Sequence, residues 1–310
     1  MVFSILVELP AIWYTVIDKN TDKRKRTMHQ IFCSTGSLLG RPNGRNYRLL
    51  TEYCPQLDCD GFEFILYNSW YDEMESLTAF LQALHLNIPV MHCEKTLSEH
   101  ITKGGDEEWQ EAFRLFEINC TLANELGAGK MVLHLWNGPI SDSHFENNLQ
   151  AWPLLNRKAE EHGIELLVEN VVCRQDPMSH WVELYRNYPE IRFVYDTKMA
   201  DFHRQLDLLY QPEYDWLWKE DHIRHYHVND YGGGYMDWDN LRVLPMGKGH
   251  IDFDRFFEHV KATGYRGDFT FEATGFDPQG EIHLDTLNEQ FSLARKYMEY
   301  LDTEHGGGTR

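Results

Sequence analysis

The sequence predicts a (β/α)8 TIM barrel preceded by a short N-terminal extension. Two observations predict it. Eight short β-rich runs alternate with helical patterns. Six of those runs end in a side chain that favours metals: Val90-Met91 leads to His92, Met131-Val-Leu to His134, Leu166-Leu-Val to Glu169, Phe193-Val-Tyr to Asp196, His225-Tyr to His227, and Phe269-Thr-Phe to Glu272. Each step between successive members is about the length of one βα unit, so the six fall at the C-terminal ends of successive strands.

Residues 1–27 do not share this rhythm. An apolar stretch interrupted by Glu8 and Pro10 precedes a basic run at Lys23-Arg-Lys-Arg26. It lacks a cleavable leader's layout and is short for a membrane span, so it is expected to be an extension, a hairpin or a flexible arm. The barrel is expected over 28–302 and a disordered tail over 303–310. Expected strands are 30–34, 61–66, 88–92, 131–134, 165–169, 192–196, 224–228 and 269–272, rich in β-branched and aromatic residues. Expected helices are 72–85, 107–126, 145–162, 179–188, 202–218, 253–263 and 284–301. The period is clearest in the stretch that begins at Trp109, and Gly127, Gly163 and Gly264 stand at helix ends. An open doubly wound sheet is the competing architecture. It needs a glycine-rich phosphate turn after its first strand, and Ser34-Thr-Gly-Ser-Leu-Leu-Gly40 has the wrong spacing.

A net charge of −20, from 49 acidic and 29 basic residues, argues against nucleic acid as a partner and suits a site that collects a divalent cation. Six scattered cysteines without C-x-x-C spacing read as reduced thiols in a cytoplasmic protein. The sequon at Asn119 lies inside a helical pattern and is discounted. No membrane partner is expected; a homo-oligomer is compatible with the pattern.

In a closed barrel the strand-end side chains converge on one mouth. His225 and His227 share a parity, with His227 at the mouth and His225 one layer below. Glu169, Asp196 and Glu272 point inward by the same rule. Together with His227 they make an O/O/O/N set that suits one divalent ion, Mn²⁺, Co²⁺, Mg²⁺ or Zn²⁺. His92 and His134 are placed to bind substrate oxygens or a second ion. Lys198 is placed to polarise a carbonyl, and Lys248 to meet an anionic group. Trp136, with Trp70 and Tyr231, is placed to stack on a sugar face.

With these residues in view, the chain resembles the xylose-isomerase-like TIM-barrel superfamily over about residues 28–302. The resemblance rests on M-V-L-H (His134), L-L-V-E-N (Glu169, Asn170), V-Y-D-T (Asp196), H-V-N-D (His227, Asp230), L-P-M-G-K-G-H-I-D (Pro245 to Asp252, with Gly247 and Gly249) and F-T-F-E (Glu272). It implies that Glu169, Asp196, His227 and Glu272 hold one ion and that the two glutamates transfer protons. It also implies a small sugar, polyol or keto-sugar substrate. Three departures stand out. Met199 occupies the histidine position of the family's D-x-x-H. The loop 231–248 lacks the D-x-H that completes a third metal site in the endonuclease-four-like members. Asp230-Tyr-Gly-Gly-Gly follows His227 where epimerases often carry an arginine. The expected activity is a metal-dependent sugar or cyclitol isomerase/epimerase that abstracts a proton next to a carbonyl through an enediolate. The alternative is a lyase of the inosose or dehydroshikimate dehydratase type. A phosphodiesterase or a non-catalytic barrel ranks below both.

Overall fold

The computed structural model describes residues 28–138 and 142–303; the expected extension and all but the first residue of the expected tail lie outside them. Eight parallel strands close into a barrel in sequence order. They are β1 (Ile31–Ser34), β2 (Gly61–Ile65), β3 (Val90–His92), β4 (Lys130–Leu133), β5 (Glu165–Glu169), β6 (Arg192–Asp196), β7 (Ile223–His227) and β8 (Phe269–Phe271). The helices are α1 (Leu50–Tyr53), α2 (Met74–Leu84), α3 (Leu97–Lys103), α4 (Asp106–Leu126), α5 (Phe145–Glu161), α6 (Pro177–Asn187), α7 (Thr197–Phe202), α8 (Trp216–Lys219), α9 (Phe253–Thr263) and α10 (Leu284–Asp302).

Two-residue periodicity divides the core. Phe32, Val90, Val132, Leu167 and Val194 form one buried apolar cluster, the parity that faces the barrel axis. Their neighbours Cys33, Met91, Met131, Leu133, Leu166, Val168, Phe193 and Tyr195 have the opposite parity and belong to the larger core shared with the helices. On β7 the register against β6 slips once: Phe193 pairs Ile223, but Val194 pairs His225 and Asp196 pairs His227. The extra residue, Arg224, resets the parity so that both histidines fall in step with Val194 and Asp196.

Local chemistry sets the helix ends. Three acidic residues open α4, where the helix dipole favours them, and Gly127 closes it at φ 75°. Asp176 caps α6 by accepting from Ser179 N, with Pro177 at the first helical position. The expected helix over 202–218 is not formed. Arg204 takes a positive φ of 53° directly after α7, and Pro212 starts a separate 3₁₀ turn, so the segment is a chain of turns ending in the one-turn α8. The sequence also concealed α3 and the short α1. Asn119 of the discounted sequon is fully buried and holds Glu94 N through its side-chain oxygen. All six cysteines are free. No helix among the described residues is long and apolar enough to cross a membrane.

Asp230, the last residue of H-V-N-D, shapes the loop after β7. Its buried carboxylate accepts the backbone N–H groups of Tyr231, Gly247, Gly249 and Ile251, at 2.8 to 3.1 Å. A Cβ on Gly249 would collide with Tyr231 O and the Asp230 carboxylate, so glycine is required by this close approach. This joins the two motifs H-V-N-D and G-K-G-H-I-D physically. Asp230→Ala should therefore lower stability by about 2–4 kcal/mol in denaturant unfolding, because four N–H groups lose a charged acceptor. A loss below about 1 kcal/mol would show that other contacts hold the loop.

Candidate metal centre

The barrel mouth gathers Glu169 from the end of β5, Asp196 from β6, His227 from β7 and Glu272 just past β8. One ligand atom from each lies within 4.8 Å of all the others. The first three are fully buried, while the Glu272 side chain is 12% exposed. His227 Nδ1 is 3.0 Å from Glu169 Oε1 and 3.5 Å from Glu272 Oε2. His225 sits one layer lower, its Nε2 2.8 Å from Thr270 Oγ1.

His92 and His134 share this cluster through Glu169. His92 Nδ1 lies 2.8 Å from Cys93 O, a contact that requires its N–H to donate. His134 makes its shortest polar contact through Nε2, 2.6 Å from Glu169 Oε2; an ionised carboxylate only accepts, so this nitrogen carries the proton, while Nδ1 lies 3.4 Å from the Asn137 side chain. The His92 tautomer leaves a lone pair on its Nε2. His92 Nε2 faces Glu169 Oε2 at 3.6 Å and is buried without a hydrogen bond. A buried imidazole lone pair that faces a carboxylate oxygen is unfavourable, and a cation between the two would relieve it. The donor set, carboxylate oxygens and imidazole nitrogens, fits a divalent ion.

Asparagines complete the frame. Asn229 donates from Nδ2 to both Asp196 Oδ2 and Glu272 Oε2, and accepts Glu272 N. Asn170 exchanges hydrogen bonds with the Asp196 backbone, at 2.7 and 3.0 Å. Asp196 also caps α7 through Met199 N, so the residue in the family's histidine position contributes its backbone here.

Electrostatics separates the carboxylates. For Glu169, burial raises the pKa, but His134 and His227 outweigh it and hold the group well below the usual carboxylate range. Glu272 is lowered as well: burial opposes, His227 prevails and Lys95 assists. Asp196 moves the other way. Burial and the charges of Glu169 and Glu272 push it up to about 7, against the pull of Lys198. Burial also lowers His134 to about 4, keeping it neutral.

Of the other expected residues, Lys198 is buried beside Asp196 and acts on its charge. Lys248 is exposed on the loop after β7. Trp136 is fully buried; its indole N–H donates to Val171 O and its ring packs edge-on against Phe145 and His180. This corrects the expectation of a sugar-stacking platform, as do Trp70, which donates to Arg45 O, and Tyr231, which donates to Gly234 O. His180 belongs to a second buried group with Asp142 and Cys173, in which Asp142 accepts Arg174 N and Gln175 N and so clamps the loop after β5.

Sequence reasoning missed Glu63, Asn229 and Lys95. Glu63 carried a signal: it is a lone charged residue inside the β run Gly61–Ile65, at the inward parity. Asn229 carried one too, two residues past His227.

The chain matches the model of the xylose isomerase-like TIM barrel family over residues 52–297. It belongs to that family. Similar solved structures include a D-tagatose 3-epimerase-like protein, at 16% identity and TM-score 0.63, covering 88% of this chain and 98% of that one. D-allulose 3-epimerase from Methylomonas sp., in complex with D-allulose, matches at 16% and 0.62 with the same coverage. 3-Keto-D-glucoside 4-epimerase from E. coli matches at 17% and 0.62, covering 86% and 99%. At these identities the likeness establishes the fold. No curated protein sequence matches.

Replacing Glu169 with Gln or His227 with Ala should abolish stoichiometric binding of Mn²⁺ or Co²⁺ in isothermal titration while the barrel stays folded by circular dichroism. Undiminished binding in both would remove the four-residue site. The pH dependence follows from Asp196. A protonated carboxyl is a poor ligand, and His227, whose pKa is raised well above the usual imidazole value, must also lose a proton, so apparent affinity should fall by about tenfold per pH unit or more as pH drops below 7. A flat affinity between pH 8 and 6 would contradict this.

Proposed function

We propose that this chain is a divalent-metal-dependent sugar or cyclitol isomerase/epimerase that moves a proton at a carbon next to a carbonyl. The observation that carries the reading is the unequal pair of glutamates on either side of His227. Glu169 is locked in place, one oxygen against His227 and the other facing His92 and His134. Glu272 is partly exposed, and Asn229 engages only its Oε2. Its Oε1 makes no hydrogen bond among the described residues and is free to meet substrate. Glu272 is therefore the general base that takes the carbon-bound proton, and Glu169 its counterpart. When bound at Glu169, Asp196, His227 and Glu272, a divalent ion supplies Lewis acidity toward two adjacent substrate oxygens as negative charge develops on them. The unpartnered Nε2 of His92 is placed to accept a hydrogen bond from a substrate hydroxyl, and His134 holds Glu169 beside it. The Lys198 ammonium stands beside Asp196 to favour charge on a carbonyl oxygen. The sugar epimerases among the similar structures support a polyol-type substrate.

One observation favours a second reading. The convergence of His92, His134 and Glu169 is a three-ligand set of its own, so a second ion would share Glu169 with the first, an arrangement suited to phosphoester hydrolysis. Metal stoichiometry separates the two: one ion per chain supports the isomerase, and two with cleavage of abasic-site DNA supports the hydrolase.

The direct test is proton NMR in D₂O with a panel of ketoses, inososes and their phosphates. The metal-loaded enzyme should exchange a carbon-bound hydrogen of at least one of them, and Glu272→Gln should slow that exchange by roughly 10²–10⁴. Loss of water instead of an exchanged isomer identifies a lyase. No exchange across the panel overturns the proposal.

A further inference from the structure

Glu63 is a carboxylate in the middle of the barrel, on β2, where β1, β3, β4, β5 and β6 place Phe32, Val90, Val132, Leu167 and Val194. It is fully buried. A leucine or methionine would fill that space without the cost of drying a charge. Its hydrogen bonds indicate what it does there. Thr270 Oγ1 donates to Glu63 Oε2 at 2.9 Å. The single hydroxyl proton is then spent, so at the 2.8 Å contact with His225 Nε2 the imidazole must donate to Thr270 Oγ1. Glu63 Oε2 also lies 3.0 Å from His227 Nε2. An ionised carboxylate only accepts, so this nitrogen carries the proton. The imidazole is thereby turned with Nδ1 toward Glu169 and Glu272.

We propose that Glu63, braced by Thr270 and His225, is a positioning residue: it holds the Nε2–H of His227 and so presents Nδ1 as the only nitrogen that ligates an ion at the mouth. A metal-bound histidine that donates its other N–H to a carboxylate is held in both ring orientation and tautomer, and loss of such a partner typically costs 10–100-fold in affinity. Glu63 touches no substrate. Its hydrogen bond to the proposed ligands is the one to the His227 imidazole. The inference rests on the proposed role of His227 as a ligand.

The test uses the full chain, with Co²⁺ as the probe. Glu63→Ala should weaken Co²⁺ binding by about 10–100-fold in chelator competition. Glu63→Gln keeps an oxygen acceptor and should stay within a few-fold of the parent. In water, the proton spectrum of the Co²⁺-loaded parent should show a hyperfine-shifted, solvent-exchangeable signal from the His227 Nε2–H. That signal should persist in Glu63→Gln and vanish in Glu63→Ala. If Glu63→Ala does not fold, the Gln variant and the parent signal alone decide: a parent that binds Co²⁺ without any such exchangeable signal overturns the proposal. Parent-like affinity and spectrum in Glu63→Ala overturn it equally, as does a Gln variant whose affinity falls 10-fold or more. A parent that binds no Co²⁺ would instead remove the metal reading on which the inference stands.

Discussion

Four carboxylates, Glu63, Glu169, Asp196 and Glu272, converge on a single imidazole, that of His227, and of these only Glu272 reaches solvent. Charges of one sign at such distances cannot all be carried in a dry interior. His227 offsets part of the repulsion: burial disfavours its charge, but Glu63, Glu272 and Glu169 outweigh that and raise its pKa well above the usual imidazole value. Asp196 yields instead, with its pKa raised toward neutrality. The remaining imbalance, together with the unpartnered Nε2 of His92, would be relieved by a cation at the mouth.

The barrel makes this concentration of charge tolerable by layering. Apolar side chains from five strands fill the axis on one side, while Glu63, His225 and Thr270 occupy the other with their hydrogen bonds directed at one another. Toward the base, Lys130 donates to the backbone of Arg224 across the barrel. The polar groups above are thus framed by packed residues and by asparagines that hold the carboxylates apart: Asn229 ties Asp196 to Glu272, and Asn170 ties β5 to β6. A rigid frame of this kind is what a proton-transfer site requires, since reacting groups displaced by about an ångström lose much of their effect.

Membership of the family accounts for the barrel and leaves the chemistry to the site. Around the candidate site stand a backbone contribution from Met199, an aspartate that clamps the loop after β7, and a buried lysine beside Asp196. Each bears on the substrate side of the mouth, where members of one fold diverge most readily because loops change more freely than strands.

The sequence alone determined the barrel, its eight strands and the six strand-end residues. The reason is that side-chain direction alternates with a strict period of two, and strand ends are marked by local chemistry that needs no partner. Inward parity for His225 and His227 was legible in the same way, and glycine marked the ends of α4 and α9 as read. Tertiary structure decided the rest. The helix over 202–218 failed because a positive φ at Arg204 and a separate turn at Pro212 override an apolar pattern. Trp70, Trp136 and Tyr231 turned away from the mouth because their N–H and O–H groups found backbone carbonyls in the packing. Glu63 lies 164 residues from His227 in the chain. Only closure of β8 onto β1 brings β2 and β7 to a common axis, and no local pattern encodes that proximity.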